Sequence, residues 1–165
     1  MILLVGGSGY LGSRLTKYFV DSGEDVRVTS TSSDQVYSVT PEHLDLSLPK
    51  DELLSHGSEE IFAGVRTVIF LASLNASQSE YNPELARKIK VEGSLFCLQE
   101  SMKNGAEHFI NLSTCHVYGD KLTGLVTEET EIKPKSHYAK SHAEAEKALK
   151  IIADKSNISL NSIRL

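Results

Sequence analysis

Short apolar runs alternate with segments of helical periodicity along the chain. Residues 2–5 are all apolar and end at two glycines, which is typical of a strand buried on both faces of a parallel sheet. The segments 67–72 and 108–113, in which apolar residues predominate or alternate with polar ones, are also predicted strands. We therefore predict six strands, at residues 2–5, 26–29, within 37–44, 67–72, 108–113 and 159–165.

The segments between these runs have the spacing of helices. Leu11, Leu15 and Phe19 fall on one helical face, and Gly23 follows as a C-terminal residue. The patterns predict helices over 11–22, one or two within 49–63, one over 83–103 and one over 138–155, with a polar loop at 119–136. Strands that alternate with helices predict an α/β fold, a Rossmann-like doubly wound parallel sheet with helices on both faces.

Length and charge narrow the class of protein. The 165 residues fit one domain, and a formal net charge of -5 without a Lys/Arg run predicts no binding to nucleic acid or to an anionic membrane. No stretch approaches the roughly 18 apolar residues of a membrane-spanning helix, so we expect a cytoplasmic protein. The two cysteines form neither a disulfide framework nor a paired metal motif, and we predict no metal site.

A glycine-rich turn lies between the first predicted strand and the first predicted helix. Gly6, Gly9 and Gly12 have the spacing that permits a tight turn, a close approach of pyrophosphate and close helix–strand packing. The helix that begins near Tyr10 and Leu11 adds unpaired N–H groups and a partial positive charge. A turn that needs positive φ would also explain glycines, but the strand–turn–helix context favours a nucleotide site.

The end of the second predicted strand lacks the acidic residue that binds the ribose 2′-hydroxyl of NAD. Residues 29–33 are all Thr or Ser, and Ser30 is the candidate ribose contact. With no acid to repel a 2′-phosphate, the segment favours NADP over NAD. Arg14, early in the first predicted helix, is a candidate to assist in binding that phosphate. A polar turn that discriminates neither cofactor remains the alternative.

Five motifs in order resemble the extended short-chain dehydrogenase/reductase family, the nucleotide-sugar epimerases, dehydratases and reductases. The glycine loop at 6–12 resembles the cofactor loop of that family, and Asp45-Leu46 the pair that meets adenine. Leu71-Ala72-Ser73 is similar to the segment beneath the second ribose. The segment 113–119 resembles the Ser-[Ser/Thr]-x-x-Val-Tyr-Gly strand end, and 134–141 the segment of the catalytic tyrosine.

The resemblance implies NAD(P)-dependent hydride transfer with Tyr138 as acid/base and Thr114 as a hydrogen-bond donor to the same substrate oxygen. A phenol has a pKa near 10, so base chemistry needs a neighbouring cation, which in the family is a lysine four residues later. Here that position is His142. A neutral imidazole carries no permanent charge, so this departure puts catalytic competence in doubt.

Lys90 is a candidate replacement for the missing charge. It stands in 90–94, which resembles the Asn-Val-x-Gly-Thr segment of the family, in place of an asparagine that faces the active site. The hypothesis makes Lys90 a catalytic residue together with Tyr138, Thr114 and His142. The alternative is a site released from catalytic demand, or one with unusually slow chemistry.

Cys115-His116 narrows the implied reaction. The dehydratases of the family carry Asp-Glu after the catalytic threonine, so this sequence argues against dehydration and leaves epimerisation or carbonyl reduction. The resemblance also implies a nucleotide-sugar substrate and a homodimer through the helices at 83–103 and 138–155. A dinucleotide-binding sensor or interaction module without catalysis is the alternative function.

The domain prediction is a single NAD(P)-binding Rossmann domain over residues 1–165. The segment 159–165 resembles the family strand that precedes the substrate-recognition half. We therefore expect that the substrate-binding subdomain is missing, either because the sequence is truncated or because this is a naturally short relative.

Overall fold

A computed structural model describes residues 1–55 and 60–165. Within them, six parallel strands form one sheet in the order β3-β2-β1-β4-β5-β6. The strands are β1 (Ile2–Val5), β2 (Val26–Ser30), β3 (Glu42–His43), β4 (Thr67–Phe70), β5 (His108–Ser113) and β6 (Ser159–Arg164). The strand order reverses between β1 and β4, and a crevice at such a point is where α/β sheets bind ligands.

Six helices connect these strands within the described residues. They are α1 (Tyr10–Asp21), α2 (Lys50–Ser55), α3 (Ala76–Tyr81), α4 (Pro83–Arg87), α5 (Gly93–Lys103) and α6 (His137–Ala153). A π-helical turn at Lys88–Glu92 joins α4 to α5, and 3₁₀ turns occur at Glu60–Phe62 and Cys115–Tyr118. The α/β fold is confirmed, while α3 was not predicted. The helices expected within 49–63 are α2 and one 3₁₀ turn, and residues 56–59 lie outside the described residues.

Apolar side chains cover both faces of the sheet, as the continuous apolar strands require. Along β1, Leu3 and Val5 join one buried cluster while Leu4 joins the other. The first cluster combines strand residues with the inner faces of α5 and α6, including Phe70, Phe109, Phe96, Leu98 and Leu149. The second packs Val28 and Ile69 against α1 through Leu15 and Phe19. The central strands are therefore buried, and the polar site lies at their carboxyl ends.

The Gly12→Ala substitution is expected to destabilise the fold. A Cβ at residue 12 would lie 2.5 Å from the Cα of Gly7 and 2.7 Å from the carbonyl oxygen of Gly6. These are backbone atoms, so relief requires a shift of the loop, and overpacking of this kind costs about 1–3 kcal/mol. The free energy of unfolding, measured with denaturant, checks the effect. Gly9→Ala is the matched control, because the nearest described atom that a Cβ there meets, beyond its chain neighbours, is the Gly6 oxygen at an ordinary 3.4 Å. Equal losses would contradict the packing argument.

Candidate dinucleotide and catalytic site

The glycine loop packs tightly against the start of the segment that follows β4. Gly6 has a φ of +81°, and a Cβ there would lie 3.0 Å from the Cα and the backbone N of Ala72. The Gly6 N–H donates to Thr29 Oγ1 at 3.3 Å. The loop is thus fixed between the carboxyl ends of β2 and β4, as the sequence pattern requires of a first glycine.

The N-terminus of α1 is left open toward the crevice. Gly9 is its N-cap and supplies no side-chain cap, so the N–H groups of the first turn, which begins with Tyr10 and Leu11, lack that partner. Apart from its two chain neighbours, the one described atom within 4 Å of a Cβ at Gly9 is the Gly6 oxygen, at 3.4 Å. Packing within the protein therefore does not require glycine at position 9, whereas the close approach of an anion does. The residues present fit a pyrophosphate.

A cleft of about 250 Å³ brings together most of the predicted cofactor residues. Its lining includes Gly6, Gly9, Ser30, Asp45, Leu46, Leu71 and Ala72. Tyr10, Leu11 and Gly12 lie beside it in the first turn of α1. Ser73, which belongs to the segment expected beneath the second ribose, also lines the cleft, and so does Ile89, which was not predicted. The structure thus places the predicted residues around one space, and their role as ligand contacts stays a prediction.

The polar groups of the cleft are already organised by internal hydrogen bonds. Ser30 Oγ lies 2.7 Å from Ser8 Oγ and accepts from the N–H of Ser32 at 2.9 Å. Asp45 accepts from the N–H of Ser47 at 2.9 Å, and hydrogen bonding to Ser47 lowers the pKa of its carboxyl. Arg14 instead lies over the ring of Tyr10 at 3.7 Å and donates to its carbonyl. A preference for NADP stays a prediction.

Tyr138 and Thr114 meet where α6 begins beside the end of β5. Thr114 is buried directly after β5, and Tyr138 lies in the first turn of α6. A hydrogen bond from Thr114 lowers the pKa of the Tyr138 phenol, but burial is the larger effect and raises it overall. The phenol is consequently protonated at neutral pH in this arrangement.

The first turn of α6 is held from two sides. Ser136 is the N-cap, and its hydroxyl accepts from the N–H of Ala139 at 3.1 Å. Glu80, in α3, accepts from the N–H of His137 at 2.6 Å and from the N–H of Tyr138 at 3.4 Å. Sequence reasoning missed Glu80, because no local pattern links it to a helix that begins so far along the chain.

His142 lies one turn after Tyr138 and is a neutral neighbour rather than a cation. The two ring centroids are 4.5 Å apart, and only 2% of His142 is exposed. Burial, together with the charges of Lys90 and His116, lowers the pKa of His142 to about 3. Its Nε2 lies 3.1 Å from Ser73 Oγ, and its buried Nδ1 has no hydrogen-bond partner among the described residues.

Lys90 is fully buried on the π-helical turn between α4 and α5. Its ammonium donates to Asn111 Oδ1 at 2.9 Å and to the carbonyl of Leu112 at 2.6 Å, and it lies 5.0 Å from the ring centroid of Phe70. Burial lowers the pKa of Lys90 to about 7, against a smaller opposing effect of Glu146. Its described hydrogen bonds therefore go to β5, and a direct electrostatic role toward Tyr138 stays a prediction.

A partly buried ion pair joins the end of β6 to α6. Arg164 donates through Nε and Nη2 to the carboxylate of Glu146, with a shortest distance of 2.6 Å, and through Nη1 to Tyr118 Oη at 2.6 Å. The hydroxyl of Ser113 donates to the same carboxylate. These contacts tie the 3₁₀ turn after Thr114 to the last strand, and sequence reasoning did not predict them.

The two cysteines are free thiols in different environments. Cys97 is buried in α5, and burial raises the pKa of its thiol, whereas Cys115 is exposed. Among residues 1–55 and 60–165, no three His, Cys, Asp or Glu side chains are grouped to hold a metal ion. Over the same residues, no helix combines the length and apolar character needed to cross a membrane.

The strand order, the glycine loop and the Tyr138–Thr114 pair define an extended short-chain dehydrogenase/reductase of the Rossmann type. The chain belongs to the NAD dependent epimerase/dehydratase family, whose model matches residues 2–165. The family assignment that the motifs suggested is thereby confirmed.

Individual relatives agree with the family assignment. The chain is 30% identical to the UDP-glucose 4-epimerase of Pasteurella multocida over 163 residues, which cover 92% of this chain and 48% of that protein. Among solved structures, it is similar to the UDP-glucose 4-epimerase of Thermotoga maritima with UDP-glucose, at 26% identity and a TM-score of 0.83, with 99% of this chain and 54% of that chain covered. The Thermus thermophilus UDP-glucose 4-epimerase complex with NAD has the same fold, at 24% identity and a TM-score of 0.81, over 99% and 54% of the two chains. The chain thus spans about half the length of the relatives it matches.

The Lys90→Met substitution is expected to change how stability depends on pH. Because burial lowers the pKa of Lys90 from 10.5 to about 7, the unfolded chain binds a proton between these values that the folded chain does not. The contribution of Lys90 to stability therefore rises with pH in this window, by at most about 1.4 kcal/mol per pH unit. Denaturant unfolding of both proteins, on both sides of pH 7, measures the difference. A difference that stays flat with pH would contradict the lowered pKa.

Proposed function

We propose that this chain is the dinucleotide-binding part of an NAD(P)-dependent enzyme that acts on a nucleotide-sugar by carbonyl reduction or epimerisation. The observation that carries the proposal is the position of Ser73. Ser73 lines the cleft beside the glycine loop and is hydrogen-bonded to His142, whose ring lies against Tyr138. The acid/base candidate therefore lies next to the cleft, where a bound ligand and a sugar oxygen can meet.

The cleft supplies the groups that a dinucleotide needs. The open N-terminus of α1 and the space above Gly9 suit a pyrophosphate. The hydroxyls at the end of β2 suit a ribose or its 2′-phosphate, and Asp45 with Leu46 suits an adenine. When bound, the nicotinamide accepts or returns a hydride.

Tyr138 and Thr114 supply two hydrogen-bonding groups for one substrate oxygen. Because burial raises the pKa of Tyr138, the phenol is a proton donor at neutral pH, which suits protonation of a carbonyl oxygen. Removal of a proton from a sugar hydroxyl needs a cation near the phenol, and neutral His142 does not provide one. Lys90, whose burial lowers its pKa to about 7, is the candidate that we retain for that charge.

A non-catalytic dinucleotide-binding relative, acting as a sensor or interaction module, is the second candidate function. One observation favours it: the position of the usual cation is taken by a buried imidazole whose pKa is lowered to about 3. Both candidate functions require dinucleotide binding in the cleft, and they differ in whether the protein catalyses a reaction. Binding and turnover must therefore be measured separately.

The homodimer stays a prediction. Helices α4 and α6 are joined on their exposed side by an ion pair between Arg87 and Glu144 at 2.8 Å, and Arg87 also donates to Glu92. These contacts fix the two helices to each other within one chain. Cytoplasmic localisation and the lack of a nucleic-acid partner likewise stay predictions.

Cofactor binding is tested by the fluorescence of NADH and NADPH on titration with the protein. We expect saturable binding, and Gly9→Ala is expected to weaken it by about tenfold or more, because the added Cβ occupies the space of the phosphates. Ser22→Ala, at the opposite end of α1, is the control and keeps wild-type affinity. Tighter binding of NADPH would confirm the prediction from residues 29–33, and tighter binding of NADH would contradict it.

Catalysis is tested by incubation with UDP- and dTDP-sugars, with detection of epimers and of NADPH loss. Tyr138→Phe is expected to lower turnover by about 100-fold or more, because it removes the proton donor, while it keeps cofactor affinity. Lys90→Ala should abolish turnover if Lys90 supplies the missing charge, and unchanged turnover would remove that role. Because the 165 residues span only about half the length of the relatives, tight cofactor binding without turnover of any sugar would favour the binding module only when it is measured on the natural full-length protein.

A further inference from the structure

The segment from Ser73 to Tyr81 connects the ligand cleft to α6 at two points. Ser73 Oγ donates to the carbonyl of Leu74 at 2.9 Å and lies 3.1 Å from His142 Nε2, an arrangement that favours the tautomer with its proton on Nε2. At the other end, Glu80 accepts from the N–H groups of His137 and Tyr138. The Glu80 contact is made with the backbone of His137 and Tyr138, and the Ser73 contact is made one helical turn later, at His142.

Helix α3 keeps these two contacts at a fixed separation. Asn75 and Gln78 form a reciprocal capping box, in which the Gln78 N–H donates to Asn75 Oδ1 at 2.9 Å and the Asn75 N–H donates to Gln78 Oε1 at 3.1 Å. Ser79 is buried and donates to the Asn75 carbonyl at 2.8 Å. The short helix is therefore internally braced, although it has only six residues.

We propose that residues 73–80 form a clamp that fixes Tyr138 relative to the ligand cleft. Ser73 and Glu80 are positioning residues in this clamp: Ser73 acts through the ring of His142, and Glu80 acts through the backbone of α6. The inference rests on the proposed role of Tyr138 and deepens it by assigning what holds the phenol in place.

The physical basis is the tendency of a first helical turn to fray when its N–H groups lack partners. Ser136 satisfies the N–H of Ala139 alone, so the N–H groups of His137 and Tyr138 depend on Glu80. A carboxylate at a helix N-terminus is also favoured by the helix dipole. If the turn loosens, the phenol moves away from Thr114 and loses that hydrogen bond.

The experiment compares Glu80→Ala, Glu80→Gln and Ser73→Ala by NMR in the unliganded chain. Glu84→Gln, an exposed acid in the first turn of α4, is the matched control. In Glu80→Ala, the amides of His137 and Tyr138 should exchange with solvent about tenfold faster or more, as expected for a lost hydrogen bond to a charged group. The pKa of the Tyr138 phenol should shift, because burial and the Thr114 hydrogen bond, which act on it in opposite directions, both depend on the position of the ring.

The other variants separate positioning from stability. Glu80→Gln keeps an oxygen acceptor and should restore most of the amide protection and the wild-type Tyr138 pKa. Ser73→Ala should give a mixture of His142 tautomers in its ¹⁵N spectrum and shift the Tyr138 pKa, without affecting the amide of His137. Glu84→Gln should change neither the amide exchange of His137 and Tyr138 nor the pKa of Tyr138.

An unchanged Tyr138 pKa in both Ser73→Ala and Glu80→Ala, with the fold intact, would overturn the clamp, and so would an equal shift in Glu84→Gln. If Glu80→Ala fails to fold, Ser73→Ala and Glu80→Gln decide the question. Since these measurements need no ligand, a failure to bind NAD(P) would count against the proposed function and leave the clamp to be judged on its own result.

Discussion

Close backbone packing at the carboxyl end of β1 is the constraint on which the site depends. Gly6 lies against Ala72, and Gly12 lies against Gly7, at distances that leave no space for a side chain. These contacts bring the glycine loop, the start of α1 and the segment after β4 to one crevice. The position of the polar groups follows from this packing. Ser73 is the residue after Ala72, and its hydroxyl is hydrogen-bonded to His142 on α6.

The electrostatics of the site result mainly from burial. His142 and Lys90 are both removed from water, and each has a pKa below its usual value, so the site contains less positive charge than the number of basic side chains suggests. Tyr138, which is half-buried, remains protonated by the same effect. The result is an acid/base candidate whose unliganded state favours the donation of a proton, and this is the property on which our proposal of carbonyl reduction rests.

The sheet and most of the cleft could be predicted from the sequence because they depend on local patterns. The apolar run that ends in two glycines predicted β1. The hydroxyl-rich end of β2 and the Asp45-Leu46 pair line the cleft, as their positions in the sequence led us to expect. Helix α3 escaped prediction because it lacks an apolar stripe; its signal was the Asn75…Gln78 capping spacing. The contacts of Lys90 depend on a π-helical turn, and those of Glu80 on tertiary packing, neither of which has a signature in hydrophobic periodicity.

The Glu146–Arg164 pair has a consequence for how this chain tolerates sequence change. The guanidinium contacts the carboxylate through two nitrogens and Tyr118 through a third, so three elements depend on the planar shape of one side chain. A lysine at position 164 would keep the charge but could not reproduce this forked geometry. Arginine and lysine are therefore not interchangeable at the end of β6, and a substitution that conserves charge would still loosen the turn that carries Thr114.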